Sequence, residues 1–269
     1  MRERIPVVVQ GRRTRRSPAV RALWTGAELA VTLGVVLLLL VMHQLWWTNR
    51  QAQHAAHDQV ARLERQWDAG PPSPAAPPAA GDDEAAAAGD DEAAARLPES
   101  GPPSGAPAHR TDGRPPPPGR NLAYAVLRIP RIGLTAPVAQ GVGKAAVLNK
   151  GYVGHYPHSA QPGEAGNVAL AGHRNTHGEP FRHLDRLRTG DTVLIDTAEA
   201  RYTYAVRRTL ARTTPADGTV LAAVPYSSVH PSYRFTAPGA YLTLTTCTPA
   251  YTSTYRLVVW GVLRSTQSR

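Results

Sequence analysis

The chain has 269 residues, a formal net charge of +10 and one cysteine. A single cysteine excludes an intramolecular disulfide and any zinc site built on several thiolates. The basic balance could serve nucleic acid, but no basic run is interleaved with aromatics and no recognition motif occurs, so no nucleic-acid partner is expected; an anionic envelope surface fits the charge better.

Residues 1–21 form a basic tail with seven arginines and one acid. Residues 22–47 follow as an apolar segment whose uninterrupted core is LAVTLGVVLLLLVM, 29–42. With its flanks it reaches the roughly 20 residues that a bilayer-spanning helix needs. Trp46 and Trp47 suit an interfacial aromatic position. Arginines before the segment and few charges just after it put the N-terminus in the cytoplasm and the remainder outside. The bulky residues 43–47 and the lack of a nearby A-x-A site argue for a retained anchor rather than a cleaved signal peptide.

Residues 48–120 are expected to be a tether. Val60, Leu63 and Trp67 have helical spacing. Beyond them the chain is rich in Pro, Ala and acidic residues, with the unit 81–88 recurring as 89–96. So few apolar side chains cannot offset the entropy of ordering. A flexible coil of roughly 50 such residues would span about 35–45 Å, so the expected role is reach, holding a head at a distance from the membrane.

Residues 121–269 make one domain of ordinary size. Short runs rich in Val, Tyr, Thr and Leu occur at 125–129, 167–171, 192–196, 201–208, 241–246 and 256–263, with turn signals between them. That pattern predicts a mainly β barrel or sandwich, with a short helix near 180–187. In the run 241–247, Leu242, Leu244 and Thr246 share one face and Thr243, Thr245 and Cys247 the other. Cys247 is therefore placed on the more polar face, at a strand end. If the next run pairs antiparallel, Arg256 returns beside Cys247. His173 follows another apolar run and a glycine, where a strand gives way to a loop.

These residue types permit acyl transfer through a thioester. A free thiol, with a pKa near 8.5, is only slightly ionised at neutral pH. An imidazole can exchange its proton and return one to a leaving amine. Arginine cannot act as a base, but can donate two hydrogen bonds to an oxyanion.

The segment Thr243-Leu244-Thr245-Thr246-Cys247, with Arg256 nine residues on, resembles the T-L-x-T-C signature of sortases. Ala171-Gly172-His173-Arg174 resembles their histidine segment, and the stretch 127–134, Leu-Arg-Ile-Pro-Arg-Ile-Gly-Leu, the start of their domain. Gly154-His155-Tyr156-Pro157, the short Cys–Arg loop and Thr248-Pro249 are similar to class E, the actinobacterial type. The class E segment H-R-T-T-Y-G reads His173-Arg174-Asn175-Thr176-His177-Gly178 here, with His177 in place of the tyrosine.

The resemblance implies an eight-stranded sortase barrel with catalytic Cys247, His173 and Arg256. It implies substrate contacts at His155, His177, Thr245 and Thr246. The implied partners are secreted proteins carrying an L-A-x-T-G or L-P-x-T-G signal, and a peptidoglycan-precursor amine as acceptor. It implies no obligatory cofactor, and no metal or calcium site is identifiable in the sequence. An L,D-transpeptidase would hold its histidine and cysteine in one compact motif, and a papain-like peptidase would place its cysteine on a helix ahead of the histidine; neither order occurs here. A binding module on a stalk, with Cys247 buried, is the non-enzymatic alternative.

Overall fold

The computed structural model describes residues 18–70 and 118–269. Residues 1–17 and the stretch 71–117, including the twin units 81–88 and 89–96, lie outside the described residues.

Helix α1, Pro18–Asp68, is continuous over 51 residues. Between Thr48 and Ala69 there is no Gly or Pro to stop it, and Ala, Gln, Arg and Glu there are good helix formers. The sequence Gly70-Pro71-Pro72 ends it, because proline lacks the N–H and crowds the preceding turn. By length and composition α1 is the one helix among the described residues that could cross a membrane, and its apolar stretch is not buried against protein.

Beyond that stretch the helix changes character. Ala52, Ala56, Val60 and Leu63 are buried on the head. Ala56 packs with Ala139, Val147 and Tyr152, while Val60 and Leu63 pack with Val126 and Ala123. Glu64 pairs with Arg128, and the Arg269 guanidinium lies 4.8 Å from the Trp67 ring centroid. The spacing of Val60, Leu63 and Trp67 thus marks a docking seam. Within the stretch expected to be a tether, residues 48–68 are therefore helix, with Ala52, Ala56, Val60 and Leu63 seated on the head.

Eight strands close a barrel: β1 (Ala123–Ile129), β2 (Leu134–Gln140), β3 (Val153–His155), β4 (Gly166–Ala171), β5 (Thr192–Asp196), β6 (Ala200–Thr213), β7 (Ala240–Thr248) and β8 (Tyr255–Ser268). The order around it is β1-β2-β3-β4-β7-β8-β6-β5. Strands β2 and β3 pair parallel, as do β4 and β7; the other neighbours are antiparallel. The interior is filled by Leu127, Ile129, Val168, Leu170, Ile195, Leu242, Leu244, Leu257 and Val259. Each such side chain stabilises the fold by about 1.5–3 kcal/mol on burial. The short helix expected near 180–187 is a single 3-10 turn, Leu184–Arg186.

The outer face of β7 is covered too. The connection between β6 and β7 lays Val220 against Leu210, Val258 and Trp260, and Val220 O accepts a hydrogen bond from Trp260 Nε1 at 3.1 Å. Asp217 ties this connection together, accepting from the hydroxyls of Thr213, Thr219, Ser227 and Ser228.

Candidate active site

Three adjacent strands converge on one end of the barrel. Strand β4 runs parallel to β7 with Ala171 opposite Thr245, so the residues that follow each strand emerge together. His173 lies two residues past that pair, and Gly172 N–H still donates to Thr245 O at 3.2 Å. Strand β8 returns antiparallel with Arg256 directly opposite Cys247. Residues directly opposite in a ladder share a face, so thiol and guanidinium lie on the same side of the sheet.

Local sequence explains each placement. Gly172 is needed for close packing, because a Cβ there would come within 2.8 Å of the Phe181 ring. Phe181 N–H in turn donates to His173 O at 3.0 Å, closing the loop after β4. Cys247 is half-buried. Arg256 Nη1 donates to Ser253 O at 2.9 Å and Tyr255 O at 3.0 Å, which holds the guanidinium at the β7–β8 loop. Both bonds use one nitrogen, so the edge formed by Nε and Nη2 has donors suited to an oxyanion.

Residues 127–264, just over half of the chain, match the sortase domain family. The chain also aligns with Sortase SrtE2 of Streptomyces coelicolor at 30% identity, over 96% of this chain and 89% of that protein. The chain is a sortase. It is similar to Sortase SrtE1 of the same organism, at 35% identity over 94% of the chain, but spans only 60% of that protein's length. Among solved structures, Sortase E1 from Streptomyces coelicolor with a tripeptide in the active site aligns at 41% identity with a TM-score of 0.52, covering 55% of this chain and 92% of that one. The SrtA sortase from Actinomyces oris aligns at 32% identity with a TM-score of 0.51, covering 60% and 91%. The similarity to SrtE1, SrtE2 and sortase E agrees with the class E-like features of the sequence.

In this sortase the His173 ring is framed on two sides. Its Nε2 lies 2.9 Å from Asn149 Oδ1, and the His177 ring centroid is 5.3 Å away. Burial, then the charges of His177 and Lys144, hold its pKa below the usual imidazole value, which favours the neutral ring at pH 7. With Nε2–H donating to Asn149, Nδ1 would carry the lone pair that can take a proton.

Arg174 joins the two strand ends. Its side chain is only 9% exposed and pairs with Asp185 at 3.0 Å. Its Nη1 donates to Thr248 Oγ1 at 3.0 Å and Cys247 O at 3.4 Å. Neither Asn149 nor Arg174 received a role from the sequence. Asn149 carries no motif, and Arg174 read only as part of the histidine segment.

Three of the residues expected to contact substrate lie in the interior. His155 is completely buried: its Nε2 donates to Ala160 O at 3.0 Å, and its Nδ1 lies 2.8 Å from Tyr124 Oη and 3.0 Å from Gln140 Oε1. Burial pushes its pKa down to about 4. Both ring nitrogens thus lie against groups of the protein interior. Thr245 and Thr246 are also buried, with hydroxyls donating to Leu170 O at 3.3 Å and Gly172 O at 2.8 Å. They bind β7 to β4 and its continuation. The third threonine of that run, Thr243, donates to Asn167 Oδ1 at 2.8 Å beneath the β6–β7 connection. The polar face of β7 is therefore mostly interior, opening only near Cys247. His177 lies beside His173.

Proposed function

We propose that this sortase cleaves a C-terminal L-A-x-T-G or L-P-x-T-G sorting signal between Thr and Gly and transfers the threonine acyl group to a cell-wall amine. The observation that carries the reading is the pairing of Cys247 with Arg256 at the strand end where His173 emerges.

Cys247 Sγ attacks the threonine carbonyl carbon, and its proton passes to His173. The Arg256 guanidinium donates to the oxygen that becomes negative, an interaction strongest in the transition state. The C–N bond breaks, the glycine amine leaves with the proton from His173, and the acyl group stays on sulfur as a thioester. An acceptor amine then attacks that carbonyl, losing a proton to His173 as the C–S bond breaks and the thiol reforms.

In this reading the segment 22–47 spans the membrane once, with residues 1–21 cytoplasmic and the head, 121–269, outside. The arginine asymmetry and the exposed apolar stretch of α1 support that orientation. A secreted substrate and a lipid-linked acceptor are both present at that surface.

The test is mass spectrometry of the full chain in detergent with candidate sorting peptides and amines. Wild type should give the thioester mass, a cut between Thr and Gly, and a peptide–amine product. Cys247→Ala should give none of these while its circular dichroism is unchanged. Cleavage at the wild-type rate by Cys247→Ala would refute the mechanism.

A further inference from the structure

The docked part of α1 touches the head where the two loops flanking His173 meet. Asn49 Oδ1 accepts a hydrogen bond from Gly178 N–H at 2.7 Å. One turn on, Gln53 Nε2 donates to Gly178 O at 3.5 Å. The helix backbone is equally close to the other loop: a Cβ on Gly151 would lie 2.8 Å from Ala52 O and 3.3 Å from His177 O. A Cβ on Gly178 would lie 3.2 Å from Gly151 Cα and 3.5 Å from Gln53 N. Helix backbone, Gly151 and Gly178 thus form a stack with no room for side chains. Both glycines have positive φ, +79° and +83°, which glycine adopts without steric cost.

Each of these glycines adjoins a residue that touches the His173 ring. Asn149, two residues before Gly151, meets His173 Nε2 at 2.9 Å. His177, immediately before Gly178, packs its ring against His173. His177 itself has φ +51°, a conformation that costs a non-glycine residue about 1 kcal/mol or more unless its surroundings impose it. From the helix side that loop is held by the bonds of Gly178 to Asn49 and Gln53, and from the head by its contact with Gly151.

We propose that residues 49–53 of α1, with Asn49 foremost, are a positioning element for His173, so that the helix carrying the membrane anchor also completes the active site. The inference rests on His173 being the proton-transfer residue. These helix residues act by fixing Asn149 and His177 around the imidazole. Ala52, Ala56, Val60 and Leu63 then have a second role besides burial, because they hold Asn49 in register with Gly178.

The test uses the full chain in lipid nanodiscs with a fluorogenic sorting peptide. Asn49→Leu keeps the helix and approximate side-chain volume but removes the acceptor. It should lower kcat about ten-fold with KM changed less than about two-fold, because the lost order concerns proton transfer rather than peptide binding. Asn49→Asp restores an acceptor oxygen and should recover most of the loss. Ala56→Glu, which places a charge in the seam beside Ala139 and Val147, should show the same kcat loss. Deuterium exchange should then show faster labelling across residues 174–180 in both Asn49→Leu and Ala56→Glu. If Ala56→Glu does not fold, Asn49→Leu and its rescue decide the matter. Wild-type kcat and unchanged labelling in Asn49→Leu would overturn the inference. Loss of activity through KM alone, or a loss that Asn49→Asp does not rescue, would also overturn it. Activity that survives in Cys247→Ala would instead condemn the catalytic reading, so the two failures are distinguishable.

Discussion

His173 shows how much of a side chain's chemistry is set by residues far away in sequence. Its position at a strand end was legible, because an apolar run and a glycine precede it. Its environment was not, because Asn149 and Lys144 come from the connection between β2 and β3. Cys247 and Arg256 were easier to read: they lie nine residues apart on consecutive strand-like runs, and antiparallel pairing of those runs sets them side by side. Thr245 and Thr246, which the family resemblance alone made substrate contacts, are interior because β4 and its continuation lie against them. His177 offers the sharpest test at this scale. Burial first, then the charges of His177 and Lys144, lower the His173 pKa. His177→Tyr removes one of those charges and keeps a ring in place, so the His173 pKa should rise. The limb of the pH profile that reports His173 should move to higher pH when kcat/KM is measured between about pH 5 and pH 9. The same variant should be compared on Leu-Ala and Leu-Pro peptides. An unmoved limb and unchanged preference would remove His177 from both roles.

Among the elements, the strands with clean aliphatic alternation, β1, β4, β5 and β7, were legible within a few residues. Strand β2 escaped because Pro137 lies within it, and proline argues against an inner strand. Its position is tolerable because β3 begins pairing only at Val138, the next residue. Strand β3 has three residues and no periodicity to read. The parallel pairing of β4 with β7 is the non-local fact that assembles the site, and Arg174 locks it from the side. A buried guanidinium that donates to Thr248 and Cys247 O while pairing with Asp185 fixes how the β7 end sits against the histidine loop. Arg174→Met keeps the stem but removes these donors. It should lower kcat about ten- to hundred-fold, as positioning losses next to reacting groups do. Asp185→Asn should cost less, because Asp185 is half exposed. Steady-state kinetics with circular dichroism as a fold control would check both; equal effects would mean that the Asp185 pairing, not the reach to β7, is what matters.

For the whole molecule, one buried carboxylate links three barrel strands to the ion pair on the helix. Asp196, 2% exposed on β5, accepts from Arg201 Nε at 2.6 Å and Nη2 at 3.0 Å, and from Arg128 Nε at 3.1 Å. Arg128 on β1 also pairs with Glu64 of α1. The chain from β6 through β5 and β1 to the helix therefore runs through Asp196, a link that no local pattern could reveal because its members are dispersed between residues 64 and 201. Burial alone would raise the Asp196 pKa, but the hydrogen bonds and charges of Arg201 and Arg128 outweigh it and hold the carboxyl below its ordinary value. A carboxylate with a depressed folded-state pKa contributes stability above its unfolded pKa of about 3.9, and loses it as pH falls through the folded value. Asp196→Asn should therefore destabilise the protein at pH 7 by about 2 kcal/mol, the scale of hydrogen bonds to a charged group. That corresponds to a fall in Tm of about 4–8 °C for a molecule of this size. The difference from wild type should shrink as pH is lowered below about 4, because wild type then loses the same charge. Thermal unfolding of both proteins in detergent, from pH 7 down to about pH 2.5, would show the convergence. A Tm gap that stays constant across that range would mean that Asp196 acts by shape alone and that its charge does not join helix to barrel.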